Sequence, residues 1–331
     1  MNVKKYLLPK DGNFYKANLH SHTTVSDGRF TPAEAKKIYL EKGYSIVAFS
    51  DHQVLVPHSD LRDEQFLPIT ATEIALHLPV AQFTDTWHGS HIPQYHINLF
   101  SKKEDRTDLP PYHSDFGLEN AQDLITKAAS DGFLAQLNHP RWCYQTGKDY
   151  LTLENLWSVE VYNNGCETTM LDGWGDYEYE LMCREFHYNN KPLPALTAND
   201  DNHNVHPLTS PLSDSFGGWT MIKAPSLDYD SIITAMENKD LYATTGPEIK
   251  ELFVDTDNNV HVKCSPSHTV ALLSDSREFR RISSHQNDIT EAILPISQKV
   301  PPNWLRIVVV SNDGLRETKA ISRAYHKSEL G

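Results

Sequence analysis

Residues 18–28 read Asn18-Leu19-His20-Ser21-His22-Thr23-Thr24-Val25-Ser26-Asp27-Gly28. In an extended strand, residues two apart face the same side. His20 and His22 therefore present two imidazoles together, and Gly28 favours a loop that returns Asp27 toward them. Two neutral imidazoles and a carboxylate form a donor set for zinc, manganese or iron. An isolated His-x-His is more often a pair of surface histidines, so the argument rests on repetition. Further candidate donors recur near the ends of later strand-like runs: Asp51-His52, Thr72-Glu73, Tyr95-His96, Asn138-His139-Pro140 and Asp200-Asp201-Asn202-His203. The full set is His20, His22, Asp27, His52, Glu73, His96, His139, Asp201 and His203. One metal needs about four ligands, so this set predicts two or three metal ions. Cations a few ångströms apart can bridge a hydroxide nucleophile and neutralise charge on a phosphoryl group during in-line displacement. They can equally activate water toward a carbonyl.

Several positions leave alternatives open. Glu73 lies mid-set with no adjacent cation and is the choice for a bridging carboxylate. His88 and His91 compete with His96, and Asp200 competes with Asp201. Asp51 reads as a structural acid or one that orients a histidine. Glu160 reads as a ligand, a supporting acid or a substrate contact. Arg141 directly follows His139-Pro140; its guanidinium suits a substrate phosphate or carboxylate, or a plain salt bridge. Trp142, Tyr144 and Trp174 are candidates for a ring pocket or for packing. Lys102, Lys103 and Arg106 read as a solvated loop.

The elements that must position these groups alternate. Phe14 to Leu19 reads as a strand. Thr31-Pro32-Ala33-Glu34 is a helix start, with Thr31 as N-cap, Pro32 in the first turn and Glu34 completing a capping box. Gly43 ends that helix, and the apolar run 45–50 is a buried strand delivering Asp51-His52. Strands are predicted over 67–73, 95–100, 133–137, 157–163, 193–198 and 218–222, with helices over 118–130, 177–188 and about 227–237. Between the strands at 67–73 and 95–100 runs a histidine-rich loop through His77, Trp87, His88 and His91. Alternating strands and helices, with polar groups at strand C-terminal ends, predict a parallel α/β barrel of about seven strands with its site on that face. Beyond Thr244-Thr245-Gly246-Pro247 the pattern changes to short strands, with a hairpin turn at Asn312-Asp313-Gly314. The expected division is a barrel over 1–247 and a small β-sandwich-like appendage over 248–331.

The order His-x-His, Ser-Asp-Gly, Ser-Asp-His, Glu, His, Asn-His-Pro and Asp-x-His resembles the PHP family (polymerase and histidinol phosphatase) over about residues 15–247. The resemblance implies a distorted (β/α)7 TIM-like barrel, two or three zinc, manganese or iron ions, and phosphoester hydrolysis. Residue by residue, it implies His20, His22, Glu73 and Asp201 around one metal, Glu73, His96 and His139 around a second, and Asp27, His52 and His203 around a third. When the third metal is absent, His203 with Asp27 is the catalytic candidate for protonating a leaving group. Together with residues 242–247, the appendage looks closest to the subgroup that includes carbaryl hydrolase-like proteins. That subgroup keeps an esterase, amidase or carbamate hydrolase open as an alternative. A non-catalytic metal-binding module is the second alternative.

Bulk properties bound the rest. The 331 residues are 39% hydrophobic and 22% charged, with a formal net charge of −14. That balance disfavours a long nucleic-acid partner and leaves a small phosphate ester or other small ester as the expected substrate. The four cysteines form no Cys-x-x-Cys, which points to unpaired thiols in a reducing, cytoplasmic setting. The apolar run near the N-terminus is too short for a signal peptide, and no run of about 18 apolar residues predicts a membrane span.

Overall fold

The computed structural model describes residues 2–77, 94–276 and 279–331. Trp87, His88 and His91 lie outside them. Strand β1 (Val3–Tyr6) is followed by β2 (Asn13–Ser21), helix α1 (Pro32–Glu41), β3 (Ile46–Phe49) and β4 (Leu67–Leu76). Next come β5 (Tyr95–Ser101), α2 (Leu118–Ser130), β6 (Phe133–Leu137), the short α3 (Gly147–Tyr150), β7 (Ser158–Asn163), α4 (Asn164–Met170), α5 (Asp176–Tyr188) and β8 (Ala195–Asn199). Then β9 (Trp219–Ala224), α6 (Tyr229–Asn238) and β10 (Leu241–Thr244) lead into the C-terminal strands. These are β11 (Ile249–Asp255), β12 (Asn259–Ser267), β13 (Thr269–Ser274), β14 (Arg280–Ser283), β15 (Ile289–Pro295), β16 (Trp304–Asn312), β17 (Glu317–Ser322) and β18 (Tyr325–His326).

The local signals operate as the residues dictate. Thr31 Oγ1 accepts from the Glu34 amide, and Glu34 returns a carboxylate oxygen to the Thr31 amide at 2.8 Å, the reciprocal capping box. Strand β3 is buried along its whole length, as its unbroken apolar sequence requires. Ala17, Leu19, Ile46, Ala48, Leu67 and Ile69 form one core with Ile232 and Met236 of α6.

The fold is mixed α/β around a large central sheet, ordered β14-β13-β16-β17-β10-β9-β2-β3-β4-β5-β6-β7-β8 among the described residues. This corrects the expected parallel (β/α)7 barrel in two respects. First, β5 runs antiparallel to both β4 and β6, and β9 runs antiparallel to β2. Strand β4 changes partner midway: Leu67 to Thr70 pair with β3, whereas Ala71 to Leu76 pair with β5. Second, the ladder is open. Strand β8 ends the ladder, and past its end it is linked to β2, an interior strand, by an isolated Ser21–Asn202 bridge and by backbone bonds from Asp201 to His20 (2.9 Å) and from His22 to Asn202 (3.1 Å). A regular strand cannot continue there, because Asp201 turns to a positive φ of 53°.

In the C-terminal part, β1, β11, β12 and β15 form a second sheet. Its Leu252, Val254 and Val262 pack on Leu272, Ile307 and Val309 of the central sheet. One layer of this β-rich unit is therefore an extension of the central sheet, joined where β10 pairs with β17 through Ala243 and Ile321. The other layer borrows its edge strand β1 from near the start of the chain. No helix among the described residues is long and apolar enough to cross a membrane.

Candidate metal centre

Six stretches bring the predicted donors together. The end of β2 supplies His20 and, just beyond it, His22. His52 follows β3 and bridges to Glu73 within β4. His139 follows β6, and Asp201 and His203 follow β8. His96 is the exception to the rule that ligands lie at strand C-terminal ends. It is the second residue of β5, and because β5 runs antiparallel its beginning lies at the site face.

Glu73 is the hub. Its Oε1 lies 2.9 Å from His96 Nδ1, 3.3 Å from His20 Nε2 and 3.4 Å from His139 Nε2. Its Oε2 lies 3.3 Å from both His22 Nε2 and His52 Nδ1. Asp201 faces it across the site, with Oδ1 3.1 Å from the Nε2 atoms of His20 and His22. At the more open side, Asp27 stands 3.4 Å from His203 Nε2 and 3.7 Å from His52 Nε2 and His22 Nδ1.

Four sets of donor atoms each fall within 4.8 Å of one another: His20, His22, Glu73 and Asp201; Glu73, His96 and His139; His22, Asp27, His52 and His203; and His20, His139 and Glu160. The first two match the sets implied by the family resemblance. The third adds His22, and the fourth brings in Glu160. Each group could hold a metal ion, and one observation tests the fit. His20 Nε2, both ring nitrogens of His22, His52 Nδ1, His139 Nε2 and Asp201 Oδ1 are buried without a hydrogen-bond partner. Leaving such an atom unsatisfied costs about 1–3 kcal/mol, and here each orphaned imidazole nitrogen lies 3.1–3.7 Å from a carboxylate oxygen of Glu73, Asp201 or Asp27. A cluster of unsatisfied donor atoms of imidazole and carboxylate type fits divalent cations.

The electrostatics are those of tightly paired opposites. Burial opposes charging His20, but the carboxylates of Asp201, Glu73 and Glu160 outweigh it and hold its pKa well above the ordinary value. Burial also opposes charging His22, yet Asp201 and Glu73 raise it to about 9. Burial resists ionisation of Glu73 and Asp201, but the facing imidazoles hold both well below the carboxylate range. At His52 burial wins and pushes the ring down to about 4.

A second ring of residues aims the first. Glu160 Oε1 meets His20 Nδ1 at 3.0 Å, so the Nε2 of His20 is directed at the cluster. Glu160 is itself fixed by the side-chain amides of Asn163 and Asn199, each at 2.9 Å. Asn138 donates to Glu73 Oε1 at 2.8 Å. Asp51 does not orient a histidine; it accepts from the amides and hydroxyls of Thr23 and Ser26, at 2.8–3.1 Å, and so shapes the loop before Asp27. The turn at Gly28 is just as constrained, since a Cβ there would lie 2.4 Å from the His22 carbonyl oxygen. Asp200 points away from the cluster, accepting from Tyr39 Oη at 2.7 Å and from the amides of Phe216 and Gly217. Asp201 takes the site position in its place. His139, with φ at 24°, and Asp201 both occupy the left-handed region that side chains generally avoid, as residues at functional sites often do.

The remaining sequence candidates separate. Arg141 is held by Glu178 at 2.9 Å and by both oxygens of Asp172 at 2.6 Å. Trp142 lies at the mouth of the site, edge-on to His96 and His139 with ring centroids 5.3 Å away. Trp174 packs on Tyr162, and Tyr144 is exposed. Lys102 pairs with Glu237 on the surface. Arg106 differs from the solvated reading: its side chain is buried against Phe133 and bound to Asp108 and Asp131.

No family model and no curated protein matches the sequence. Among solved structures, the chain is similar to a two-domain protein from Bacteroides vulgatus ATCC 8482 containing a predicted PHP-like metal-dependent phosphoesterase, at 14% identity and a TM-score of 0.48, with 98% of each chain covered. It is also similar to a candidate metal-dependent phosphoesterase from Bifidobacterium adolescentis ATCC 15703, at 13% identity and a TM-score of 0.35, covering 63% of this chain and 94% of that one.

Proposed function

We propose that this chain is a metal-dependent hydrolase whose reaction is cleavage of a small phosphate ester. The observation that carries the reading is the cluster of buried, unsatisfied imidazole and carboxylate atoms around Glu73 and Asp201. The residues assigned to metal are His20, His22, Asp27, His52, Glu73, His96, His139, Asp201 and His203. Bound there, two or three zinc, manganese or iron ions would supply Lewis acidity and a water made nucleophilic at neutral pH. Glu73 and Asp201, each facing several imidazoles, set the spacing of the donor sets. Adjacent sets sharing Glu73 suit a phosphoryl group, which offers several oxygens at once.

His203 and Asp27 carry the proton in this reading. They stand at the open side of the cluster, and His203 lines the adjoining cleft. Burial opposes charge on His203, but its contacts with Asp27 and Asp201 raise its pKa above the ordinary value. With two ions bound and the set of His22, Asp27, His52 and His203 left to the proton, a protonated His203 can donate from Nε2 to a leaving oxygen while Asp27 stabilises the imidazolium. Arg141 is left out of substrate binding, because Asp172 and Glu178 already take its guanidinium. We assign the hydrolase unit to residues 1–247 and a supporting β unit to 248–331, which takes β1 of the first segment into its second sheet. The four cysteines are buried and unpaired, in keeping with the proposed reducing, cytoplasmic setting.

A second reading keeps the centre and changes the bond, to a carboxylic ester, amide or carbamate. It is favoured by the adjoining cleft, which no lysine or arginine lines among the described residues. The resemblance to the carbaryl hydrolase-like subgroup belongs with this second reading. Metal analysis of the purified protein, coupled to turnover of phenyl phosphate, a phenyl phosphodiester and phenyl acetate, tests both. Stoichiometric metal with phosphate release is the expected outcome. Turnover of the acetate alone moves the assignment to the carbonyl bond, and failure to bind metal under any loading condition removes both.

A further inference from the structure

The cleft beside the cluster has a volume of about 510 Å³ and opens onto Asp201 and His203. Its walls come from the loop after β6, from α4 and from the loop after β8. Trp142 is 37% exposed there, Leu212 50% and Val205 59%. Three large apolar side chains are thus left in solvent around the mouth of a cluster of buried, polar ligands. Such an arrangement is typical of a substrate pocket, where polar groups fix the reacting atoms and apolar walls take the remainder.

Charge narrows the choice further. The carboxylates on the lining are Asp201 and Asp214, beside the imidazoles of His203 and His206. Asp214 is held in place by the amides of His203 and Asn204, at 2.8 and 3.0 Å. Residues 78–93, outside the described set, contain no lysine or arginine. The nearby Arg141 is paired with Asp172 and Glu178. Arg29 donates its backbone amide to His203 but does not line the cleft. A second anionic group on a substrate, such as a further phosphate or a carboxylate, would meet apolar wall and Asp214, with no lysine or arginine among the described lining residues to receive it and only the imidazoles of His203 and His206 at hand.

We infer that the cleft selects an ester whose non-reacting part is a single uncharged apolar group of aryl size, and that it disfavours polyphosphates and substrates with a distal anion. This rests on the hydrolase reading, and it names the substrate class of that same site. Trp142, Val205 and Leu212 are the specificity-determining residues. Trp142 comes from the loop after β6, in T-shaped contact with His96 and His139, and the two aliphatic side chains come from the loop after β8.

The test is binding of phenylphosphonate, methylphosphonate and 4-carboxyphenylphosphonate to the zinc-loaded chain by calorimetry, beside turnover of phenyl phosphate and phenyl acetate. Phosphonates are not cleaved, so leaving-group chemistry does not enter. The phenyl compound is expected to bind about tenfold more tightly than the methyl compound, and more tightly than the carboxylate. Leu212→Lys is expected to narrow or reverse the phenyl-over-carboxyphenyl preference, and Val205→Ala to reduce the phenyl-over-methyl ratio. Equal binding of phenyl and methyl compounds, or tightest binding of the carboxylate, overturns the inference. The expected ranking without turnover of either ester upholds the cleft and removes the hydrolase.

Discussion

At the scale of single residues, the site is built from pairs in which one group aims another. Glu160 is the clearest case. Glu160→Gln keeps the shape but weakens the contact with His20 Nδ1, and metal affinity should fall by about 10–100-fold. Competition with a chelating dye measures this, and an unchanged affinity would show that Glu160 does not orient His20. The raised pKa of His22 gives a second prediction, with a definite sign. In the metal-free chain its folded value of about 9 exceeds the ordinary 6.5. Its charged pairing therefore contributes stability fully below 6.5, and that contribution is lost as pH rises through about 9. Metal takes the neutral ring, so loading at about pH 7.5 should release protons and apparent affinity should climb with pH toward that value. Calorimetry in buffers of different ionisation enthalpy reads the release; no buffer dependence would rule it out. Much of this was legible in the sequence. Spacing and order brought forward the nine donor residues, because short motifs carry side-chain type directly. The sequence offered Glu160 as a supporting acid and Asp51 as a structural one among other roles, but it could not name their partners and gave Asn138 no role, because each contact reaches a distant stretch.

At the scale of elements, β2 and the loop after it do the positioning. The strand sets His20 on the cluster, and the turn then has to fold tightly enough to return Asp27. Gly28→Ala places a methyl 2.4 Å from the His22 carbonyl oxygen. The backbone must move, at a cost of about 1–3 kcal/mol. The expected result is a lower melting temperature together with displacement of Asp27 from His52 and His203. Thermal unfolding and a crystal structure of the variant check it; an unshifted transition would contradict the close approach. Helix boundaries were readable where caps are local, as at Thr31 to Glu34. Strand direction was not. β5 carries an ordinary apolar pattern, and nothing in that pattern distinguishes parallel from antiparallel pairing. The expectation that ligands follow strand C-terminal ends therefore misplaced His96 along its strand, although the structure does set His96 beside Glu73.

At the scale of the whole molecule, the two sheets are stitched at more than one point. The central sheet runs on through β10 into β17, and β1 edges the second sheet against β11. The change of pattern near residue 247 was visible in the sequence, but neither pairing was, since each joins strands far apart in the chain. Deleting residues 2–8 removes β1 together with Leu7 and Leu8, which are buried in the C-terminal core. The variant should melt at a lower temperature and self-associate through the uncovered edge of β11. Scanning calorimetry and size-exclusion chromatography measure both, and a monomer with unaltered melting would show that β1 is dispensable. The same pairing has a consequence in time. A ribosome making roughly 5–20 residues each second exposes Val3–Tyr6 long before it makes Ile249–Asp255. For tens of seconds the first strand has no partner, while β2 and β3 beside it already have one another. The histidine strand β2 can thus pair with β3 while β1 still waits for β11.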